Sequence, residues 1–221
     1  MSEETGPDPV EFARRLAAEG NSAGSATAWF DELYAASEQG RAVVPWDRGQ
    51  PHPVLVEWAE RTAVRGEGRP ALVVGTGPGH DAEYLAALGF QTTAFDVSPT
   101  AVAAARARFP ESGVDYVVAD LLALPPQWQQ AFSLVVEVFT VQSLPRTLHE
   151  QATAAVSSTI APGGTLLVIT AVAESDHGPV AGPPWPLTSA ELAAFGSYGL
   201  DPVTIEEAMP DRWRAEFRRP G

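Results

Sequence analysis

From residue 70 onward the chain alternates short, wholly apolar runs with helical segments, and this alternation constrains the fold more than any other feature. Strands are predicted at 71–75, 91–96, 115–119, 133–138 and 165–171. Helices are predicted near 79–88, 99–108 and 146–160, with Pro162-Gly163-Gly164 closing the last. Runs such as Leu134-Val135-Val136 and Leu166-Leu167-Val168-Ile169 lack polar alternation, as strands buried on both faces require. Strands of that kind separated by helices mean a parallel sheet wound on both sides. A further helix is expected near 188–198. Beyond it, 202–207 and Arg212–Arg218 read as two strands joined through Met209-Pro210-Asp211, the second with Trp213, Ala215 and Phe217 alternating against charged residues. The expected fold is therefore α/β, a doubly wound, Rossmann-like sheet closed by a C-terminal hairpin.

The amino-terminal third is different. Residues 1–9 are acidic and proline-containing and are expected to lack regular structure. A short helix is predicted over about 10–19, where Phe12 and Leu16 repeat at i, i+4 and Gly20 stops it. A second, near 26–38, carries the pairs Trp29/Leu33 and Phe30/Tyr34. Then comes a proline- and glycine-rich stretch, Val44-Pro45-Trp46-Asp47-Arg48-Gly49-Gln50-Pro51-His52-Pro53, leading into a helix near 54–64. The expected organisation is a helical cap over 1–64 and a core over 65–221.

Missing atoms exclude several chemistries. The chain has no cysteine, so it holds no thiolate nucleophile, disulfide or zinc–thiolate site. It has no lysine either, since all 14 basic residues are arginines, so a Schiff base and a GxxxxGK[ST] phosphate loop are ruled out. A net charge of −14 opposes phosphate backbones and anionic membranes, so neither nucleic acid nor membrane is an expected partner. No run approaches a membrane span, the N-terminus is the reverse of a secretory signal, and a cytoplasmic location is expected.

The first strand runs into Gly75-Thr76-Gly77-Pro78-Gly79-His80. Glycines there let backbone approach a ligand where a Cβ would clash. A dinucleotide fingerprint has its third glycine where His80 stands, which disfavours a nicotinamide cofactor. Three carboxylates instead end consecutive strands. Asp96 lies 21 residues after Gly75, where it suits ribose hydroxyls; Asp120 suits an adenine amino group; Glu137 ends the fourth strand. Alternatively, Asp96 caps the helix that begins near Ser98, and Asp120 is a turn residue.

On these features the chain resembles the class I S-adenosylmethionine-dependent methyltransferases, with 71–96, 115–121, 132–139 and 160–170 matching that family's successive motifs. The resemblance implies a seven-stranded sheet whose last strand is antiparallel. It implies S-adenosylmethionine as cofactor and S-adenosylhomocysteine as product. By position it also implies cofactor contacts from Gly75, Thr76, Gly77, Gly79, His80, Asp96, Val97, Asp120, Leu121, Glu137 and Val138. The segment Pro45-Trp46-Asp47-Arg48-Gly49-Gln50-Pro51-His52-Pro53-Val54-Leu55 further resembles the thiopurine, thiol and halide S-methyltransferase branch, in which aromatics cover the cofactor. Trp46 matches directly, and Trp29 and Tyr34 match by region; the alternative is that Trp29, Phe30, Leu33 and Tyr34 form a core stripe. Aromatic faces suit a sulfonium cation. Asp47 is read as holding its loop through an arginine or capping the next helix.

Two loops should border the transferred methyl group. One follows strand four and offers Phe139 and Gln142; the other spans 173–187 and offers Trp185, with His177 as a candidate base. An acceptor of low pKa, such as a thiol or halide, needs no base, whereas a hydroxyl benefits from one. No metal site is expected. The expected function is methyl transfer to a small-molecule acceptor by a monomer or homodimer. Alternatives are a catalytically silent S-adenosylmethionine-binding regulator and a nicotinamide-dependent reductase.

Overall fold

The computed structural model describes residues 9–22, 26–173 and 182–221. Among the described residues no helix is long and apolar enough to cross a membrane. One seven-stranded sheet organises them: β1 (Pro70–Val74), β2 (Gln91–Asp96), β3 (Asp115–Val118), β4 (Phe132–Val138), β5 (Ile160–Thr170), β6 (Asp201–Met209) and β7 (Arg212–Arg218), in the order β3-β2-β1-β4-β5-β7-β6. The first five strands pair in parallel, and β7 runs antiparallel to both β5 and β6. The order reverses between β1 and β2 on one side and β4 on the other, so a crevice opens beyond the carboxyl end of β1.

Helices α1 (Pro9–Ser22), α2 (Ala28–Glu38) and α3 (Pro53–Thr62) precede the sheet, and α4 (His80–Ala87), α5 (Pro99–Arg108), α6 (His149–Ser158) and α7 (Ser189–Ala193) link its strands. The sheet separates two apolar clusters. One gathers Leu72, Val74, Phe95, Val135, Val156, Leu166 and Phe217; the other gathers Leu55, Trp58, Val73, Leu85, Ala94, Val136, Leu167 and Ile169. Alternate residues of β1 and β4 thus enter opposite clusters, which is why those strands read as unbroken apolar runs. A third, smaller cluster joins α1 to α2 through Ala13, Ala17, Trp29 and Leu33.

The boundaries depart from expectation in four places. α1 continues past Gly20 to Ser22. The helix predicted over 146–160 begins as a 3₁₀ turn at Arg146–Leu148 and becomes α-helical only from His149 to Ser158. Pro162-Gly163-Gly164 does not close that helix but lies inside β5, where the register with β4 slips between Phe132 and Leu134. The helix predicted over 188–198 likewise divides into α7 and a 3₁₀ turn, Ala194–Tyr198.

Candidate functional site

A cavity of about 370 Å³ occupies the crevice, floored by the carboxyl ends of β1, β2 and β4 and roofed by α2 and the loop between α2 and α3. Gly75 and Gly77 turn the chain away from β1 with positive φ angles of 64° and 48°. A Cβ on Gly77 would stand 2.9 Å from the Tyr34 hydroxyl, and one on Gly75 would collide with Thr140. These two glycines therefore admit neighbouring protein as well as opening a ligand face. The Thr76 hydroxyl, at the cavity wall, is buried and has no hydrogen-bond partner among the described residues.

Asp96 ends β2 with its carboxylate buried at the cavity. Its Oδ2 accepts the Gly77 N–H (2.9 Å) and its Oδ1 the Ser98 N–H (3.0 Å). Burial raises its pKa, and those N–H donors oppose the rise. A carboxylate has about four lone-pair sites, and with the Val97 N–H as a third donor, acceptor capacity still remains for a ligand. Ser98, and not Asp96, caps α5, through Oγ accepting the Ala101 N–H at 3.0 Å. Asp120 serves as a local cap, Oδ1 accepting the Leu122 N–H at 2.8 Å, and also lines the cavity. Val97, Leu121 and Val138 line it too.

The roof is aromatic. Trp46 Nε1–H donates to the Tyr34 hydroxyl at 2.8 Å, and both rings line the cavity. Burial and the Asp96 charge push the Tyr34 phenol well above its ordinary pKa, so it stays neutral. Asp47 pins this loop: its Oδ2 lies 3.2 Å from Arg108 and its Oδ1 accepts the Gly49 N–H at 3.0 Å. His80, also at the wall, sits 3.2 Å from Arg108 Nη1 and 3.6 Å from Asp47 Oδ1; burial and Arg108 lower its pKa.

Four expected contacts are not at the cavity. Trp29 is a core residue: its ring stacks on Phe30 with centroids 3.9 Å apart, and Nε1–H donates to the Ala26 carbonyl at 3.1 Å. It acts behind Trp46, which meets it edge-on at 6.2 Å. Gly79 faces the other way, and a Cβ there would reach 2.7 Å from the Tyr116 hydroxyl. Glu137 is wholly buried below the floor, its Oε1 accepting the N–H groups of Thr140 (2.5 Å) and Val141 (2.9 Å). Its place is to hold the turn after β4. Trp185 packs over Gly182 and leaves the cavity to Pro183 and Pro184, because its backbone N–H is tied to the Gln142 carbonyl at 2.6 Å. His177 lies outside the described residues.

Phe139 and Gln142 do line the cavity. Gln142 Oε1 accepts from Thr170 Oγ1 (2.9 Å) and from the Ala171 N–H (2.7 Å), which locks the β4 loop to the end of β5. Phe139 holds a positive φ of 59° and meets the His52 ring edge-on at 5.2 Å. His52 and Arg212, which no sequence motif singled out, stand at the wall with it, as do Arg48 and Asp81. A signal for His52 did exist. A polar residue followed by Pro53 is an N-cap before proline at the first helical position, which places the side chain at the start of α3.

Residues 71–164 match a family described as methyltransferase domain. This segment, less than half of the chain, is similar to class I methyltransferase domains. It runs from β1 into β5 and supplies the cavity floor, and S-adenosylmethionine is its cofactor. The unpartnered Thr76 hydroxyl, the spare acceptor sites of Asp96 and the aromatic roof fit such a group. A relative from Mycobacteroides abscessus, 2-heptyl-1-hydroxyquinolin-4(1H)-one methyltransferase, is 29% identical over 136 residues, which is 61% of this chain and 59% of the relative. The chain thus spans about three fifths of that curated relative's length. Among solved structures, the N-methyltransferase NodS from Bradyrhizobium japonicum WM9, in complex with S-adenosyl-L-homocysteine, superposes with a TM-score of 0.65 at 20% identity, covering 86% of this chain and 100% of that one. The [4+2]-cyclase SpnF superposes with a TM-score of 0.68 at 16% identity, covering 98% and 99%. These two likenesses show the fold; a cyclase among them illustrates that this fold alone does not name a reaction.

Proposed function

We propose that the chain transfers the methyl group of S-adenosylmethionine to a small, largely apolar acceptor with a weakly acidic thiol or hydroxyl. The observation that carries this is the pairing, in one cavity, of carboxylates at consecutive strand ends with an aromatic roof and an apolar far wall. In this reading Asp96 accepts from the ribose hydroxyls and Asp120 from the adenine amino group, while Val97 and Leu121 flank the base. Thr76, Gly77 and His80 border the methionine portion. Asp81, at the same wall with burial raising it to about 6, suits the cofactor's ammonium, which would favour its ionised form. Trp46 and Tyr34 present aromatic surface to the sulfonium, a contact worth roughly 0.5–2 kcal/mol according to desolvation.

Transfer from a sulfonium is an in-line displacement, so holding two reactants in register does most of the catalysis. Phe139, Gln142, Pro183 and Pro184 supply that register at the acceptor end. The Trp46 loop supports a place near the thiopurine, thiol and halide branch. The quinolone named for the Mycobacteroides abscessus relative, a planar heteroaromatic bearing an N-hydroxyl, is of a kind this cavity suits. His177 is not needed as a base for an acceptor that reaches the site already ionised.

Calorimetric titration with S-adenosylmethionine, S-adenosylhomocysteine and NADH tests the donor: the first two should bind and NADH should not. Release of S-adenosylhomocysteine across thiols, iodide, phenols and 1-hydroxyquinolin-4(1H)-ones tests the transfer. Tight NADH binding without sulfonium binding would sink the reading, and binding with no release on any acceptor would replace it with a regulatory one.

A further inference from the structure

Beside the end of β4 the cavity wall is built by three side chains from distant parts of the chain. His52 caps α3, Phe139 follows β4, and Arg212 begins β7. The guanidinium of Arg212 lies over the Phe139 ring, 5.3 Å from its centroid, and its Nη1 donates only to the Asp211 carbonyl. Among the described residues Arg212 has no carboxylate within ion-pair distance, although the chain carries 28 acidic residues against 14 basic ones, whereas Arg48 acts on the Asp81 carboxylate. A half-buried arginine with no carboxylate beside it, at the wall of a cavity, can take an anion from outside the chain.

His52 adds a donor of fixed polarity. Its Nδ1 accepts the Val54 N–H at 3.3 Å, so the neutral ring carries its proton on Nε2. That Nε2 is buried and has no partner among the described residues. Burial, with Arg48 and Arg212 nearby, lowers its pKa to about 4, so the ring is neutral at physiological pH. Asp81, in the same wall, accepts the His52 N–H on Oδ1 at 2.7 Å, and its charge is met by Arg48.

Resting on the methyl-transfer reading above, we propose that His52, Phe139 and Arg212 form the acceptor subsite, and that it takes the acceptor as an anion, a thiolate or an aromatic oxyanion. The Nε2–H of His52 and the Arg212 guanidinium hold that anion, and Phe139 flanks its ring. His52 acts as a donor and not as a general base, because Nδ1 is engaged by the Val54 N–H and the remaining nitrogen, Nε2, already carries the proton. In the displacement a lone pair of the anion forms the new bond to the methyl carbon. The sulfonium–methyl bond breaks with its electrons returning to sulfur, leaving two neutral products and no proton to transfer. The acceptor's proton leaves to solvent before binding.

The test uses 4-nitrothiophenol, whose thiolate absorbs visibly, with the intact chain saturated with S-adenosylhomocysteine. Its bound form should ionise at least one pH unit below the free thiol, and the neutral isostere 4-nitrotoluene should bind at least tenfold more weakly. His52→Asn keeps an N-cap oxygen for Val54 but removes the Nε2 donor; it and Arg212→Gln should each weaken thiolate binding roughly tenfold or more. In turnover, the pH midpoint of kcat/KM should move with the acceptor's own pKa across a series of substituted thiophenols. An unshifted ionisation, equal binding of the isostere, absence of thiolate binding, or a midpoint constant across the series would each overturn the proposal. Calorimetry with S-adenosylhomocysteine reports on the donor reading separately, so failure of that reading is distinguishable from failure of this one.

Discussion

Replacing Glu137 by glutamine should make the protein more stable above neutral pH while leaving it nearly unchanged in mild acid. The Glu137 carboxyl is 1% exposed; Oε1 accepts two backbone N–H groups, and Oε2 is buried without a partner among the described residues. Burial raises its pKa from 4.5 to about 7 against the pull of those N–H donors. At about 1.36 kcal/mol per pKa unit, that difference corresponds to about 3 kcal/mol. The sign follows from proton binding. Between 4.5 and about 7 the folded chain keeps a proton that the unfolded chain has released, so stability falls as pH rises through this window. Glutamine can offer its amide oxygen to the same two N–H groups, and its NH₂ takes the place of the carboxyl O–H. Urea unfolding at about pH 5.5 and about pH 8.5 should therefore show the wild type losing about 2–3 kcal/mol more than Glu137→Gln between the two conditions. Asp81 and Asp96, also raised by burial, contribute alike to both proteins and cancel in the comparison. Parallel pH dependence of the two proteins would refute the reasoning, because it would mean that Glu137 is ionised in the fold throughout.

Three other substitutions probe the roof. Gly77→Ala places a Cβ 2.9 Å from the Tyr34 hydroxyl at a φ of 48°. The left-handed backbone alone costs about 1–2 kcal/mol, so S-adenosylhomocysteine affinity measured by calorimetry should drop tenfold or more with circular dichroism unchanged. Trp46→Phe and Tyr34→Phe each remove one side of the 2.8 Å bond between those residues. A double-mutant cycle on thermal stability should return a coupling of about 1 kcal/mol, and strictly additive single losses would show that the bond contributes nothing.

Much of the sheet was legible because its determinants are local. Strand burial on both faces leaves unbroken apolar runs such as Val135-Val136, and the period-2 pattern of Trp213, Ala215 and Phe217 marked a strand, although Arg214 on its other face is buried too, paired with Glu57 and Glu206. The hairpin proved to be β6 and β7 set against β5. Pro162-Gly163-Gly164 misled because a proline–glycine run signals a break in backbone geometry without saying whether a helix ends or a strand bulges. The site was legible where a motif sits on one strand end, as with Asp96 and Asp120. It was not legible for Trp29, Glu137 and Trp185, whose residue types suit a binding wall but whose packing turns them elsewhere.

By itself the sequence determined the strand–helix order, the glycine turn after β1, and the absence of any cysteine or lysine chemistry. These depend on residues within a turn or two of one another, or on atoms the chain does not possess. Only the tertiary structure decided that the glycines admit Tyr34 and Thr140, that Trp29 backs Trp46, and that His52, Phe139 and Arg212 share one wall. Those three come from a loop before the sheet, its fourth strand and its last. Sheet order, set by which apolar faces can be buried together, is what brings them side by side.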